Sequence, residues 1–189
     1  MKKLHIVTAL AAFGMFCLAG CATQNTFSGK SNPKWVDQGG GAFKDGSGNR
    51  VLYGVGVLAN VRDPGLARTA VDNRAIADIG KSIQVFSTQL MRDYAASISA
   101  GDPKKSDEEQ MIENTVKTFA NVTLSGIQVV DHWTDHESKT YYALARLDME
   151  SFKKLLEQSN QLSEQVKEHI RKNAENAFDR LAKEEEKHQ

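Results

Sequence analysis

From Arg50 to Ala59 the chain reads Arg-Val-Leu-Tyr-Gly-Val-Gly-Val-Leu-Ala. This alternation puts Tyr53, Val55 and Val57 on one face of a strand, and Leu52, Gly54, Gly56 and Leu58 on the other. Two glycines on one face leave no side chains there, so a helix or another backbone can come close. A fitting partner follows. Asp63-Pro64 supplies an N-cap and a proline at the first helical position. Ala67, Val71, Ala75 and Ile79 then recur every fourth residue, a small-residue face suited to close packing on a sheet.

The rest of the chain adds elements of both kinds. Gly39-Gly40-Gly41 and Asp45-Gly46-Ser47-Gly48-Asn49 are turn signals around a short segment, Ala42 to Lys44, and predict a small hairpin leading into the glycine-faced strand. Gly80 marks an end for the first helix. Ser82 to Ala95, with Ile83, Val85, Phe86 and Leu90, reads as a strand, with continuation of the helix as the alternative. Gly101 to Lys105 is a loop, and Ser106 with Glu109 forms a capping box. Ile112, Val116 and Phe119 then give a second helix. Gly126–Trp133 and Thr140–Leu147 alternate around the polar turn 134–139, which predicts a β-hairpin. Asp148 caps a last helix with apolar positions Phe152, Leu155, Leu162, Val166, Ile170, Ala174, Phe178 and Leu181. The expected class is α+β, in the order β-α-β-α-β-β-α, with helices on one face of a small sheet. One continuous last helix would be about 45 Å long, against about 20 Å for a small sheet. Its stripe from Val166 to Leu181 is therefore expected to overhang and serve a protein partner or a second copy.

The N-terminus carries an address. Lys2 and Lys3 precede an apolar run, Ile6 to Leu18, that is too short to span a bilayer, which needs about 20 residues. The run ends in Leu18-Ala19-Gly20-Cys21, which resembles a bacterial lipobox. The alternative is an ordinary secretory signal with a coincidental cysteine. The lipobox implies removal of residues 1–20, a thioether-linked diacylglycerol on Cys21 and acylation (palmitate) of the new amine. Three chains at about 0.8 kcal/mol per buried methylene make release from the membrane negligible. In a Gram-negative host, Ala22 in place of aspartate implies export to the outer membrane. Residues 21–32 are polar and read as a tether. The expected domains are thus a signal at 1–20, the tether at 21–32, an α+β domain at 33–150 and a long charged helix at 151–189.

Several features together resemble the LPP-twenty family of small bacterial lipoproteins. They are the lipobox at Cys21, Pro33-Lys34-Trp35, Tyr53-Gly54-Val55-Gly56, the alanine-rich helix (Ala67, Ala70, Ala75, Ala77) and the hairpin from Val129-Val130-Asp131-His132-Trp133 to Tyr141-Tyr142-Ala143-Leu144-Ala145. The likeness spans about residues 33–150. It implies a dodecin-like α+β fold and a non-enzymatic envelope protein serving envelope or flagellar assembly or maintenance. It brings no catalytic residue and no cofactor.

Composition narrows the remaining classes. Lys+Arg and Asp+Glu each total 24, so the charge footprint of a general nucleic-acid binder is missing. Two cysteines make neither a disulfide framework nor a closed zinc site. Asp131, His132, Asp135 and His136 are the one His/Asp cluster in the sequence, and their alternative reading is the site of an envelope enzyme or metal-dependent accessory factor. Their place at a hairpin turn does not assure ligand geometry, and a solvated polar loop is the simpler expectation. Gly54-Val55-Gly56-Val57-Leu58-Ala59 matches G-x-G-x-x-A, but the dinucleotide motif needs its glycines in the turn after a strand, not inside it. The chain has no Gly-Lys-Ser/Thr phosphate loop and no G-x-S-x-G elbow. Trp35 and Trp133 are expected in the core, with ligand stacking as the alternative.

Overall fold

The computed structural model describes residues 32–98 and 105–187, with side chains over 32–97 and 110–187. The signal 1–20, Cys21, the tether up to residue 31, most of the loop 101–105 and the side chains of the capping box lie outside the described residues. Asn32–Gln189 forms one compact unit.

Its elements run α1 (Lys34–Gln38), β1 (Gly41–Lys44), β2 (Arg50–Ala59), α2 (Pro64–Ile98), α3 (Lys105–Leu124), β3 (Gln128–Asp135), β4 (Thr140–Asp148), α4 (Met149–Gln158) and α5 (Glu164–Glu185). The strands form one antiparallel sheet in the order β1-β2-β4-β3. The fold is α+β, as the sequence leads one to expect. The β1–β2 hairpin closes through Asp45, whose Oδ1 accepts from the backbone N–H groups of Ser47 and Asn49, both at 2.9 Å.

The glycine face of β2 meets α2. Gly54 pairs in register with Ala145 and Gly56 with Ala143, so four small residues line the seam where Ala67, Val71, Ala75 and Ile79 lie buried. A Cβ at Gly56 would collide with the Val71 carbonyl, and one at Gly54 with that of Ala75. Asp63 caps α2 as expected, its Oδ1 accepting from Gly65 N (2.8 Å) and Leu66 N (2.9 Å).

Four expectations need correction. Ser82–Ala95 is not a strand: α2 runs through Gly80 without a break for 35 residues. Ile79, Ile83, Phe86 and Leu90 are buried at helical spacing, while Val85 is 46% exposed, and a strand would have put it beside Ile83. The element order therefore departs from the expected one. Second, the last helix is two helices, broken at 159–163, where Ser163 starts α5 by accepting from Val166 N. Third, the stripe on α5 does not overhang. Val166, Ile170, Ala174, Phe178 and Leu181 are all buried in the single core. The surplus length belongs to α2, which at 1.5 Å per residue is about 50 Å long and outruns the sheet. The second half of α2 is covered by α3, α4 and α5, where Phe152 stacks edge-on to Phe86 (5.2 Å) and Phe119 (6.1 Å). Fourth, Asp148 sits at the N-cap of α4 but makes no cap bond with its side chain, which instead accepts from Arg146 Nε at 2.9 Å.

Arg50 ties the sheet to α5. Its guanidinium grips Asp179 through Nε (3.0 Å) and Nη2 (2.8 Å) and reaches Glu175 with Nη1 (3.1 Å). This forked bond holds the Asp179 carboxyl below its ordinary pKa.

Candidate functional site

The strand β3 carries the polar cluster read from the sequence, and its pleat takes the cluster apart. Consecutive residues point to opposite faces, so Asp131 and His132 cannot share a ligand on one side of the sheet. A register shift between Val129 and Asp131 sets which way each points.

His132 pairs with Ala143 and so lies on the helix face, where its Nε2 is 2.5 Å from Asp72 Oδ1 of α2. Arg68 Nη2, one helical turn earlier, is 3.4 Å from His132 Nδ1. A guanidinium can only donate, so Nδ1 accepts and the Nε2–H donates to Asp72. Both ring nitrogens thus have partners on α2 and help hold β3 against it. The sequence reading missed Asp72 and Arg68. Their only local signal is the i,i+4 spacing on α2, and what pairs them with His132 is the packing of α2 on the sheet.

Asp131 faces the other way. Its Oδ2 accepts from the indole Nε1 of Trp35 at 2.9 Å, and its Oδ1 from the His132 backbone N–H at 2.8 Å. Asp135 folds the hairpin turn: Oδ1 accepts from Glu137 N (2.9 Å) and Oδ2 from the Ser138 hydroxyl (2.6 Å). His136 lines a separate cleft of about 420 Å³ with Asn60, Arg62 and Lys139. The four residues thus do four different things. Among the described residues, no group of three or more His, Cys, Asp or Glu side chains could hold a metal ion.

Two concave regions flank this end of the sheet. The cleft beside His132 measures about 360 Å³ and is bounded by Pro64, Gly65, Arg68, Val71, Tyr141 and Tyr142, among others. The cleft at His136 shares Thr134 and Tyr141 with it. Each opens broadly to solvent as a surface cleft.

The face of the sheet turned away from α2 has a different character. Tyr53, Val55 and Val57 point there, with Phe43 beside Tyr53 (5.9 Å between centroids) and Trp133 beside Tyr142 (5.1 Å). The Arg146 guanidinium lies 6.0 Å from the Tyr53 ring centre and is also held by Asp45 (3.0 Å) and Asp148. Trp35 and Trp133, expected in the core, are half-buried on this face instead. The reason is that α2 to α5 fill the opposite side, leaving only the five-residue α1 here among the described residues. The G-x-G-x-x-A run lies inside β2, under α2, and has no helix N-terminus at its glycines.

No protein-family model matches the chain, and no curated protein matches it.

Proposed function

We propose that this protein is a lipid-anchored component of the outer membrane of a Gram-negative bacterium, acylated on Cys21 after loss of residues 1–20. Its folded domain serves as a non-enzymatic interaction module in envelope or flagellar assembly or maintenance, in keeping with the resemblance to LPP-twenty lipoproteins. The observation that carries this reading is the run Leu18-Ala19-Gly20-Cys21 behind a short charged and apolar leader. One structural fact is consistent with it. His132, the histidine set against a carboxylate, has both nitrogens occupied by Asp72 and Arg68.

The test is palmitate labelling of cells making the wild type or Cys21→Ser, followed by separation of inner and outer membranes. The expected result is label in the wild type alone, migrating with the outer membrane, and an uncleaved, unlabelled variant. Equal labelling of both would refute the lipobox. For the interaction role, crosslinked envelopes should yield a reproducible set of proteins with the wild type that the Cys21→Ser control does not capture.

A further inference from the structure

We propose that the aromatic face of the sheet lies against the membrane interface, with Trp35 and Trp133 at headgroup level. This rests on the reading of Cys21 as the lipid anchor. The face carries the chain's two tryptophans, together with Phe43, Tyr53 and Tyr142. Beside them, Val57 is 41% exposed. Tryptophan and tyrosine suit a boundary that is apolar on one side and wet on the other, because each ring joins an apolar body to a polar tip.

The route of the chain selects the bilayer over other occupants. The anchor connects to this face first: Trp35 lies on α1, the opening helix, and its indole is fixed to β3 through Asp131. The residues between Cys21 and Trp35 reach about 45 Å when fully extended. An anchor at Cys21 therefore limits how far Trp35 can lie from the headgroups and supplies a high effective concentration for a weak contact. On the helix side the exposed apolar residues Leu66, Val85 and Leu124 are scattered over α2 and α3, and among the described residues no tryptophan accompanies them.

The charged groups that the strands place on the face are Asp131, Asp135 and Asp148 against Arg146. Arg146 is held between Asp45 and Asp148, and Asp131 accepts from the Trp35 indole and a backbone N–H. With carboxylates in excess, docking is driven by the rings and Val57 and not by attraction to anionic lipid.

The experiment uses the full lipidated protein in vesicles of phosphatidylethanolamine and phosphatidylglycerol, with plain or brominated acyl chains. Tryptophan emission is read after flotation, and because Trp35 and Trp133 are the only tryptophans in the sequence, all of the signal comes from this face. The expected result is blue-shifted emission, quenched about twofold by brominated lipid, as for rings at interfacial depth. Val57→Asp alters only an exposed position of this face and should float equally well while losing most of that quenching. Flotation of the wild type without quenching overturns the docking and leaves the anchor standing. Blue-shifted emission without quenching overturns it in favour of a second copy or a protein on this face. Protein that carries no acyl chain and does not float overturns both.

Discussion

The carbonyl oxygen of Val71 occupies the place where a side chain at Gly56 would begin, so α2 and β2 touch backbone to backbone. The same seam continues at Gly54 beneath Ala75 and across to Ala143 and Ala145 on β4. Everything else in the fold is arranged around this contact: one side of the sheet is given to α2 and the helices stacked on it, and the other is left to the aromatic residues and α1.

Adding one methyl group at the seam should therefore be expensive. Overpacking typically costs about 1–3 kcal/mol, and Gly56→Ala meets main chain that cannot rotate away, so a loss of about 3 kcal/mol or more is expected. Gly80 gives the opposite case. It lies inside α2 with open space where a methyl group would go, and Gly80→Ala should stabilise by about 0.5–1 kcal/mol through helix propensity. Urea denaturation of both variants checks the pair. Equal effects of the two would mean that α2 does not rest on β2 at Gly56.

The seam is readable in the sequence because its signal is local: glycines at every second position, then small residues at every fourth. The long stretch of α2 after Gly80 is not. Ile83, Val85, Phe86 and Leu90 fit a strand or a buried helix until tertiary contacts decide, and a glycine with helical backbone is not a terminator. One misreading leads to the next. With a strand at 82–95 there is nothing long for the C-terminal stripe to cover, so Val166 to Leu181 reads as surplus. With a helix there, the stripe has its partner inside the chain. Of the polar cluster, the sequence shows the residues but not their company. Asp72 is 60 positions from His132, and nothing local joins them.

Because the stripe belongs to the core, α5 should be indispensable. Phe178 is fully buried, and Phe178→Ala is expected to cost about 3–5 kcal/mol, a large share of the stability of a domain of this size. Truncation after Gln165 should leave the domain unfolded. Lys172→Ala, on the exposed side of the same helix, should stay within about 0.5 kcal/mol of wild type. Thermal melts followed by circular dichroism read all three, and a truncated chain that melts like the full one would contradict the packing.

Glu185, at the end of α5, should give the protein a distinctive pH profile. Burial holds its carboxyl above the ordinary value of 4.5, against the opposing bond from Ala42 N at 2.5 Å, with Asp78 adding to the rise. The native state then binds more protons than the unfolded chain just above that value, so this group makes stability fall as pH rises through its folded pKa. Asp179, held low by Arg50, and Glu175, held low by Lys153, act in reverse. Their contribution is present above the ordinary carboxylate range and is lost as pH drops through their folded values. Through Glu185 stability should rise as pH falls toward its folded pKa, and through Asp179 and Glu175 it should fall on further acidification. Glu185→Gln should remove the first limb and keep the second. A Glu185→Gln variant that loses stability with rising pH, just above the ordinary carboxylate range, as steeply as the wild type would count against it.

The Asp72–His132–Arg68 chain is expected to act as a clamp without a metal. His132→Ala with His136→Ala should leave metal content unchanged after dialysis and lower stability by about 1 kcal/mol, the worth of the bonds lost at His132. A stoichiometric transition metal in the wild type, absent from the double variant, would reverse that conclusion.

The measurement that bears most directly on this protein's role is the mass of its N-terminal peptide, taken from protein extracted from cell envelopes. The expected peptide starts at Cys21 and carries a thioether-linked diacylglycerol and one further amide-linked acyl chain. A peptide that begins at Met1, or one cut elsewhere with an unmodified Cys21, would contradict the lipid anchor and the envelope function that depends on it.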